Sequence, residues 1–305
     1  MKVYVNRQPK YGPWGGGAKT VNKLVKTLLS KGHTVVYRLE KNIDIIFCFD
    51  PRPNVFGEDI SHIYTYKRAF PKTKIIQRVG DVGTHSKPHL TELVKSCLPK
   101  SDYFIFPSEW SKDYVGFQGN NCSVIYNCPM SEFYKNRNKS AAIPSKPRVV
   151  THHWSTNPKK GFKMYEKFDE YCYDTGEFEF HYIGQKPKEI NFNNHIEPVS
   201  TDKLVDILPN YDIYLTASEE EAGANHVLES LACGLPIAYH ENGGSIPEYC
   251  VLGGRGYSNF IGMLRTLRQI RDDYSKYKEE CLRYVDTSDS VVNKYYRIME
   301  KCNES

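Results

Sequence analysis

Short apolar runs alternate along the chain with stretches whose apolar residues recur at helical spacing. The first run is Val3–Val5. In the segment 21–29 the apolar residues fall at offsets of 0, 3, 4, 7 and 8, which predicts an amphipathic helix that Gly32 ends. Further strands are predicted in this half of the chain at Thr34–Tyr37, Ile43–Phe49, Lys74–Ile76, Tyr103–Phe106 and Ser123–Tyr126. This alternation predicts a parallel sheet with helices on both faces.

The alternation stops between Tyr134 and Pro147, where polar residues and prolines have the composition of a linker. It then restarts, with strands predicted at Val149–His152, Glu179–Ile183, Ile213–Thr216 and Pro236–Tyr239. From about Tyr257 the chain is helical and charged. The pattern predicts an α/β protein of two Rossmann-like domains, residues 1–143 and 144–305. Because ligands of open parallel sheets bind beyond the carboxyl ends of the strands, we expect both sheets to face a central cleft.

The composition is that of a globular protein with reduced cysteines. With 40% hydrophobic and 25% charged residues, the 305-residue chain has the balance of a globular protein. Its formal net charge of +5 is mild for this length and does not indicate nucleic-acid binding. The nine cysteines are scattered without a CxxC pair, and no run is apolar over the roughly 18 residues that span a membrane. We therefore expect a cytoplasmic protein with reduced thiols.

The strongest chemical signal is a pair of carboxylates, Glu221 and Glu229, on either side of a glycine turn. Gly223 interrupts the segment between them, so Glu221 is predicted in a strand-to-helix loop and Glu229 in the helix that Gly234 ends. The first turn of such a helix presents N–H groups without intrahelical partners and a positive dipole end, which suits a diphosphate. The residues alone are also compatible with a second interpretation, in which a solvated acidic loop precedes a core helix and no ligand binds.

This segment resembles the E-x7-E signature of the retaining glycosyltransferases of family 4, which have the GT-B fold of two Rossmann-like domains. Other segments resemble that family's motifs in the same order: Pro107–Lys112, Val124–Asn127 with Phe133, Lys160-Gly161, and Gly243-Gly244 with Glu248. The resemblance implies an enzyme that moves a sugar from a nucleotide-diphosphate sugar to a glycan, lipid or protein acceptor, with retention at the anomeric carbon. It also implies that the last helix, around Val291–Met299, packs back on the first domain.

The resemblance further implies roles for individual residues. Glu221 would contact the hydroxyls of the donor sugar, and Glu229 would accept hydrogen bonds from the ribose. Lys160 would pair with the diphosphate, where a fixed ammonium stabilises the charge that develops as the sugar–phosphate bond breaks. The sequence alone is also compatible with a solvated lysine at the start of a helix. Backbone amides of the glycine turn would meet the sugar and the phosphates: Gly223, Ala224 and Asn225.

Three further candidates fall in the first domain. Gly15, Gly16 and Gly17 stand between the first strand and the first helix, where they allow close backbone approach to a ligand. In the family this loop covers the donor phosphates and the acceptor. The three glycines are also compatible with a flexible turn that binds no ligand. His85 matches the family's histidine near the donor sugar, and Asp81 is a polar candidate for the acceptor; a histidine without any such role is the alternative.

The sequence departs from the family pattern at Trp154, where an arginine usually stands six residues before the lysine. Lys159, His152 or His153 would then supply the positive charge, or the phosphate site is weaker. No D-x-D pair follows a strand, and no set of histidine, cysteine and carboxylate residues has metal-ligand spacing. We predict catalysis without a metal and without a cofactor.

Three other functions stay open. A GT-B sugar-nucleotide epimerase or hydrolase would share the fold and the phosphate site, and a non-catalytic binding subunit would explain Trp154. A nicotinamide oxidoreductase would need a glycine fingerprint that residues 15–17 lack. The sequence indicates neither the nucleotide nor the oligomeric state. Three lysines would fit peripheral contact with an anionic membrane as well as a solvated helix face: Lys87, Lys95 and Lys100.

Overall fold

The computed structural model describes residues 1–10 and 16–304. The strands are β1 Lys2–Val5, β2 Thr34–Val36, β3 Ile45–Cys48, β4 Lys74–Arg78, β5 Tyr103–Phe106, β6 Cys122–Val124, β7 Arg148–His153, β8 Glu179–Gly184, β9 His195–Ile196, β10 Ile213–Thr216, β11 Ile237–His240 and β12 Gly254–Tyr257. The helices are α1 Gly16–Ser30, α2 Ile60–Ala69, α3 Pro88–Cys97, α4 Glu109–Tyr114, α5 Phe162–Thr175, α6 Thr201–Ile207, α7 Asn225–Ala232, α8 Ile246–Tyr249, α9 Phe260–Asp272, α10 Tyr274–Leu282 and α11 Ser288–Glu304. Within these described ranges no helix has the length and apolar character needed to cross a membrane.

One compact unit contains Met1–Asn127 and the C-terminal segment from Ser288. Its six strands are all parallel and lie in the order β2-β1-β3-β4-β5-β6. The chain therefore leaves β1 toward β2 on one side and continues from β3 on the other, so the direction of winding changes between β1 and β3. Helix α11 packs in this unit against α1 and β4, and Tyr295 is buried beside Phe47 at 5.6 Å between ring centroids.

The other compact unit is Cys128–Thr287, with six parallel strands in the order β12-β11-β10-β7-β8-β9. Here the direction of winding changes between β7 and β10. Successive strand residues point to opposite faces, so Val149 and Leu215 enter one hydrophobic cluster while Val150 and Tyr214 enter the other. Helices α5 and α9 cover the first face and α6 and α7 the second, which buries both sides of the sheet.

The predicted fold class is confirmed, because the chain contains two sheets of six parallel strands with helices between them. Each strand predicted from the apolar runs is present, with its ends shifted by a few residues at most. The sequence did not predict β9 and β12. Strand β9 has only two residues, and β12 has the sequence Gly-Arg-Gly-Tyr, without an apolar run. Both are edge strands, whose residues are less constrained to be apolar.

The boundary between the compact units differs from the position expected from the sequence. The polar segment suggested a boundary after residue 143, whereas the chain divides between Asn127 and Cys128. The segment 128–143 belongs to the second unit because Phe133 is fully buried in that unit's core. The Arg137 guanidinium also donates there to the carbonyls of Leu231 and Leu282, at 3.3 and 3.1 Å.

Candidate functional site

The loops after β7 and β10 carry most of the residues predicted for the donor site. These two strands are neighbours where the winding of the second sheet changes direction, and ligands of such sheets bind at that point. The loop after β7 ends in a single 3-10 turn, Pro158–Lys160, which begins with the Asn157 side chain accepting from the Lys159 N–H at 3.0 Å. Gly161 then adopts φ +84° in close contact with Ala217, and α5 begins. The two lysines are thus held on a short, capped turn.

Two ion pairs join this turn to the loop after β10. The Lys160 ammonium contacts the Glu221 carboxylate, and Lys159 contacts Glu220. The Lys160–Glu221 side chains are each 13% exposed, whereas those of Lys159 and Glu220 are 38% and 37% exposed. Water screens the inner pair less, so its electrostatic interaction is the stronger. The structure therefore brings together the two residues predicted to act on the diphosphate and the sugar.

A backbone ladder fixes the loop that carries Glu221 against the loop after β11. The Glu220 N–H donates to Asn242 O at 2.9 Å, and the Ser245 N–H donates to Glu221 O at 2.8 Å. Gly244 lies at φ +70° against this ladder, where a Cβ would come within 2.5 Å of Glu221 O. Only glycine combines that backbone angle with that approach. The Gly243-Gly244 segment thus positions the Glu221 loop.

The backbone amides predicted to meet the donor lie at the start of α7. Gly223 and Ala224 precede the helix, and Asn225 is its first residue. The Ala224 N–H donates to Ser245 Oγ at 3.1 Å, which ties the entry of the helix to the same ladder. The N–H groups of the first helical turn lack intrahelical acceptors, and with the helix dipole they favour an anion.

Glu229 lies in α7 beneath this loop and is bound to a buried histidine. His152, 1% exposed at the carboxyl end of β7, places Nε2 at 3.0 Å from Glu229 Oε2. The other ring nitrogen, Nδ1, lies 3.1 Å from the Tyr214 hydroxyl. This arrangement fixes the His152 ring between β10 and α7, and so orients one carboxylate oxygen of Glu229. From the sequence, His152 was expected only as an alternative source of positive charge, and its pairing with Glu229 was not predicted.

A second network of buried polar groups lies next to the loops after β7 and β10. Burial raises the pKa of Tyr165 to about 12, so its hydroxyl keeps its proton at neutral pH. The Tyr165 oxygen accepts from the Ala217 N–H at 2.8 Å, and the same hydroxyl is hydrogen-bonded to His153 Nε2 at 2.8 Å. His226, for which the sequence suggested no role, lies 3.0 Å through Nε2 from Thr216 Oγ1. His153, through Tyr165, and His226, through Thr216, are therefore hydrogen-bonded to the start of the loop after β10.

Trp154 occupies the position where an arginine was expected, and it is 38% exposed. Its ring meets His152 edge-on, with 6.4 Å between centroids. The two histidines considered as substitutes are hydrogen-bonded within the unit, His152 to Glu229 and His153 to Tyr165. Lys159 and Lys160 are the ammonium groups that this loop supplies.

The remaining predicted residues lie in the first unit. Asp81 and Gly17 line a cavity of about 550 Å³, where Asp81 pairs with Lys87 at 2.7 Å. His85 is half-buried in the same loop as Asp81 but is not among the described residues that line the cavity. Gly16 begins α1, and the prediction for Gly15 lies outside the described residues.

No family model matches the chain, and no curated protein matches it in sequence. Solved structures match it over nearly its full length. Sucrose-phosphate synthase from Thermosynechococcus elongatus is 11% identical with a TM-score of 0.68, covering 99% of this chain and 98% of that one. HepE from Anabaena, in complex with UDP and glucose, is 11% identical with a TM-score of 0.70, covering 99% and 100%. The lipopolysaccharide outer core galactosyltransferase WaaB, in its apo form, is 15% identical with a TM-score of 0.69, covering 99% of each chain. At these identities the likeness shows the fold, which is the GT-B fold of glycosyltransferases.

Proposed function

We propose that the chain is a retaining glycosyltransferase of the family 4 type, which takes a sugar from a nucleotide-diphosphate sugar without a metal ion. The observation that carries the proposal is the Lys160–Glu221 pair, held by loops at the carboxyl ends of β7 and β10 in a GT-B fold. The nearby start of α7 adds N–H groups suited to a diphosphate. The HepE structure, which holds UDP and glucose, supports a nucleotide sugar as the donor.

In the proposed reaction the donor diphosphate takes the place of Glu221 as the partner of Lys160. Glu221 then accepts from hydroxyls of the sugar, while Glu229, oriented by His152, accepts from the ribose. The bond between the anomeric carbon and the phosphate oxygen breaks, and the electron pair stays on the phosphate. An acceptor hydroxyl oxygen attacks the same face of the anomeric carbon and gives its proton to the leaving phosphate. Lys160 and the start of α7 stabilise the charge on that phosphate in the transition state.

The first test is thermal unfolding with UDP, GDP, ADP, CMP and their common sugar conjugates, without and with EDTA. A ligand that binds the native state at 100 times its Kd stabilises it by about 2.7 kcal/mol, which raises the melting temperature. We expect one nucleoside diphosphate and its sugar conjugate to raise the melting temperature, equally with and without EDTA. Absence of any shift would contradict the proposal, and a shift abolished by EDTA would contradict its metal independence.

Product analysis with the donor found in this way separates transfer from related chemistry. A glycosyltransferase yields a new glycoside when an acceptor is present, with the anomeric configuration of the donor. An epimerase yields a rearranged sugar nucleotide, a hydrolase yields only sugar and nucleotide, and a binding subunit leaves the donor intact. The same analysis with candidate glycans, lipids and proteins identifies the acceptor.

Replacing Glu229 with alanine is expected to weaken donor binding about 10- to 100-fold. The variant removes a carboxylate that accepts ribose hydrogen bonds, and hydrogen bonds to charged groups contribute about 1.5–3 kcal/mol. Titration calorimetry with the identified nucleoside diphosphate measures the change. Glu170→Ala is the control, because Glu170 is an exposed carboxylate on α5 of the same unit. Equal affinities of wild type and Glu229→Ala would remove Glu229 from the ribose site.

We also infer a reducing compartment, such as the cytoplasm, for the protein. All nine cysteines of the chain lie among the described residues, and each is a thiol outside any disulfide. Burial raises the pKa of several of them, Cys48 and Cys172 among them, which keeps these thiols protonated and unreactive. Thiols of this kind persist where glutathione keeps cysteines reduced.

A further inference from the structure

The cavity in the first unit lies where the winding of its sheet changes direction. It is lined by Arg7, which follows β1, by Asp50, which follows β3, and by Arg78 at the end of β4. Strands β1 and β3 are the neighbours between which the chain turns from one side of the sheet to the other. Ligands of doubly wound sheets bind in the crevice at this point. The cavity therefore has the position of a ligand site within its own unit.

Arg78 is the unusual residue of this cavity, because it is buried and has no acidic partner among the residues that the structure describes. It is 6% exposed, and its head group lies 5.9 Å from the centre of the Phe49 ring. Its Nε donates to the Tyr295 hydroxyl at 3.0 Å and its Nη2 to Asn127 Oδ1 at 2.9 Å. Across residues 1–10 and 16–304 it forms no ion pair, and Nη1 has no hydrogen-bond acceptor. A buried charge left in this state favours the binding of an anion.

The carboxylates of the cavity do not supply that anion, because other cations already hold them. Burial works to raise the pKa of Asp50, but hydrogen bonds and charge from Arg52 and Arg7 outweigh it and lower the pKa. Asp50 is thus ionised and bound to Arg52 at 2.6 Å, with Arg7 at 3.4 Å. Asp81 is bound to Lys87 at 2.7 Å. Basic groups exceed acidic ones in the lining, which contains Arg7, Lys10, Arg78, Lys87, Asp50 and Asp81.

Gly80 leaves the space that the Arg78 head group occupies. A Cβ at this position would lie 2.1 Å from Arg78 Nη1, so any other residue would push the guanidinium aside. The glycine and the two neutral acceptors together fix a planar guanidinium at the cavity wall, with one nitrogen left for a ligand. Arg in such a setting recognises the paired oxygens of phosphate or carboxylate.

We propose that the first-unit cavity binds an oxyanion, a phosphate or carboxylate, through Arg78, and that this group belongs to the sugar acceptor. The assignment to the acceptor rests on the proposed function; the oxyanion site itself does not. The enzyme would thus glycosylate an anionic acceptor, such as a phosphorylated or acidic glycan or an anionic lipid headgroup. Neutral acceptors would leave the Arg78 charge uncompensated and would bind more weakly.

The test is calorimetric titration of the full chain with glycerol 3-phosphate and with glucuronate, and with glycerol as the neutral probe. We expect both anions to bind and glycerol not to bind. Arg78→Gln should weaken anion binding about 10- to 100-fold, as for the loss of hydrogen bonds to a charged group. Arg297→Gln is the charge-matched control, because Arg297 is exposed on α11 of the same unit. Lys160→Ala should retain the binding, since that lysine lies in the other unit.

A second variant separates ligand binding from the structural contacts of Arg78. Gly80→Ala keeps the charge of Arg78 but displaces its head group, so it should also weaken anion binding. A cooperative thermal unfolding transition checks that the variant is folded. Anion binding by Arg78→Gln or Gly80→Ala at wild-type affinity would overturn the proposal, as would a wild type that binds neither anion. If phosphatidylglycerol vesicles compete with glycerol 3-phosphate for the site, the anionic group comes from a lipid headgroup. If the vesicles do not compete, the acceptor is a soluble anion. A wild-type chain that binds the anions but no nucleotide would instead contradict the proposed function and leave the oxyanion site standing.

Discussion

Replacing Lys160 with alanine is expected to lower the rate of donor cleavage by a factor of about 30 to 1,000, while the chain stays folded. In the proposed mechanism the lysine stabilises the charge on the leaving phosphate, and loss of one preorganised group of this kind costs roughly 2–4 kcal/mol of transition-state stabilisation. Because the acceptor is unidentified, the rate to measure is nucleotide release from the donor with water as the acceptor. The donor is the sugar conjugate found by the thermal shift measurements.

The control for this variant must account for Glu221, which loses its ion-pair partner when Lys160 is removed. Lys163→Ala removes an exposed ammonium from the first turn of α5 and should leave the rate unchanged. In a Glu221→Gln background, Lys160→Ala should still weaken affinity for the nucleoside diphosphate if Lys160 binds phosphate. If the affinity then no longer changed, Lys160 would only position Glu221. A wild-type rate for folded Lys160→Ala would exclude it from the mechanism.

The sequence predicted the fold well because both sheets are parallel and buried on both faces. The runs Tyr103–Phe106 and Ile213–Thr216 are apolar except for Thr216, and the structure has strands with these bounds. The placement of Glu221 in a loop and Glu229 in a helix also followed from local rules, since Gly223 and Gly234 mark the ends of that helical stretch.

The partners of the site residues could not be predicted, because they come from distant parts of the chain. The Lys160–Glu221 pair and the His152–Glu229 pair join residues 61 and 77 positions apart. Histidines at the end of a strand carry no local signal that separates a cation for phosphate from a buried group that orients a carboxylate. The role of His152 follows only from the register that brings β7, β10 and α7 together.

The boundary between the units was misplaced for a related reason. Polar composition marked residues 135–140 as a linker, and most of that segment is indeed outside regular structure. What assigns the preceding residues to the second unit is the burial of Phe133, a single side chain whose tertiary contacts the local pattern does not encode. The same holds for Arg78: the sequence places it only at the polar end of a strand, and its lack of an acidic partner within the described ranges is a tertiary feature.

Replacing Gly244 with alanine is expected to destabilise the second unit and to weaken donor binding, although the residue contributes no side chain to the site. Two effects add: the left-handed angle of φ +70° costs a residue with a Cβ about 1–2 kcal/mol, and the Cβ would lie 2.5 Å from Glu221 O and 2.7 Å from Glu221 N. Relieving such overpacking costs about 1–3 kcal/mol more, and here it must move the backbone that holds Glu221. Urea unfolding and nucleotide titration measure the two results.

Gly176 provides the matched control, because it has φ +66° at the end of α5 in the same unit. In the described part of the chain, a Cβ there would meet nothing within 4 Å. Gly176→Ala should therefore show only the cost of the backbone angle and should bind the nucleotide as wild type does. The difference between the two variants isolates the contact with the Glu221 ladder. If Gly244→Ala lost no more stability than Gly176→Ala and kept its nucleotide affinity, the close approach of Gly244 would not position Glu221, and the ladder would have to be held by its hydrogen bonds alone.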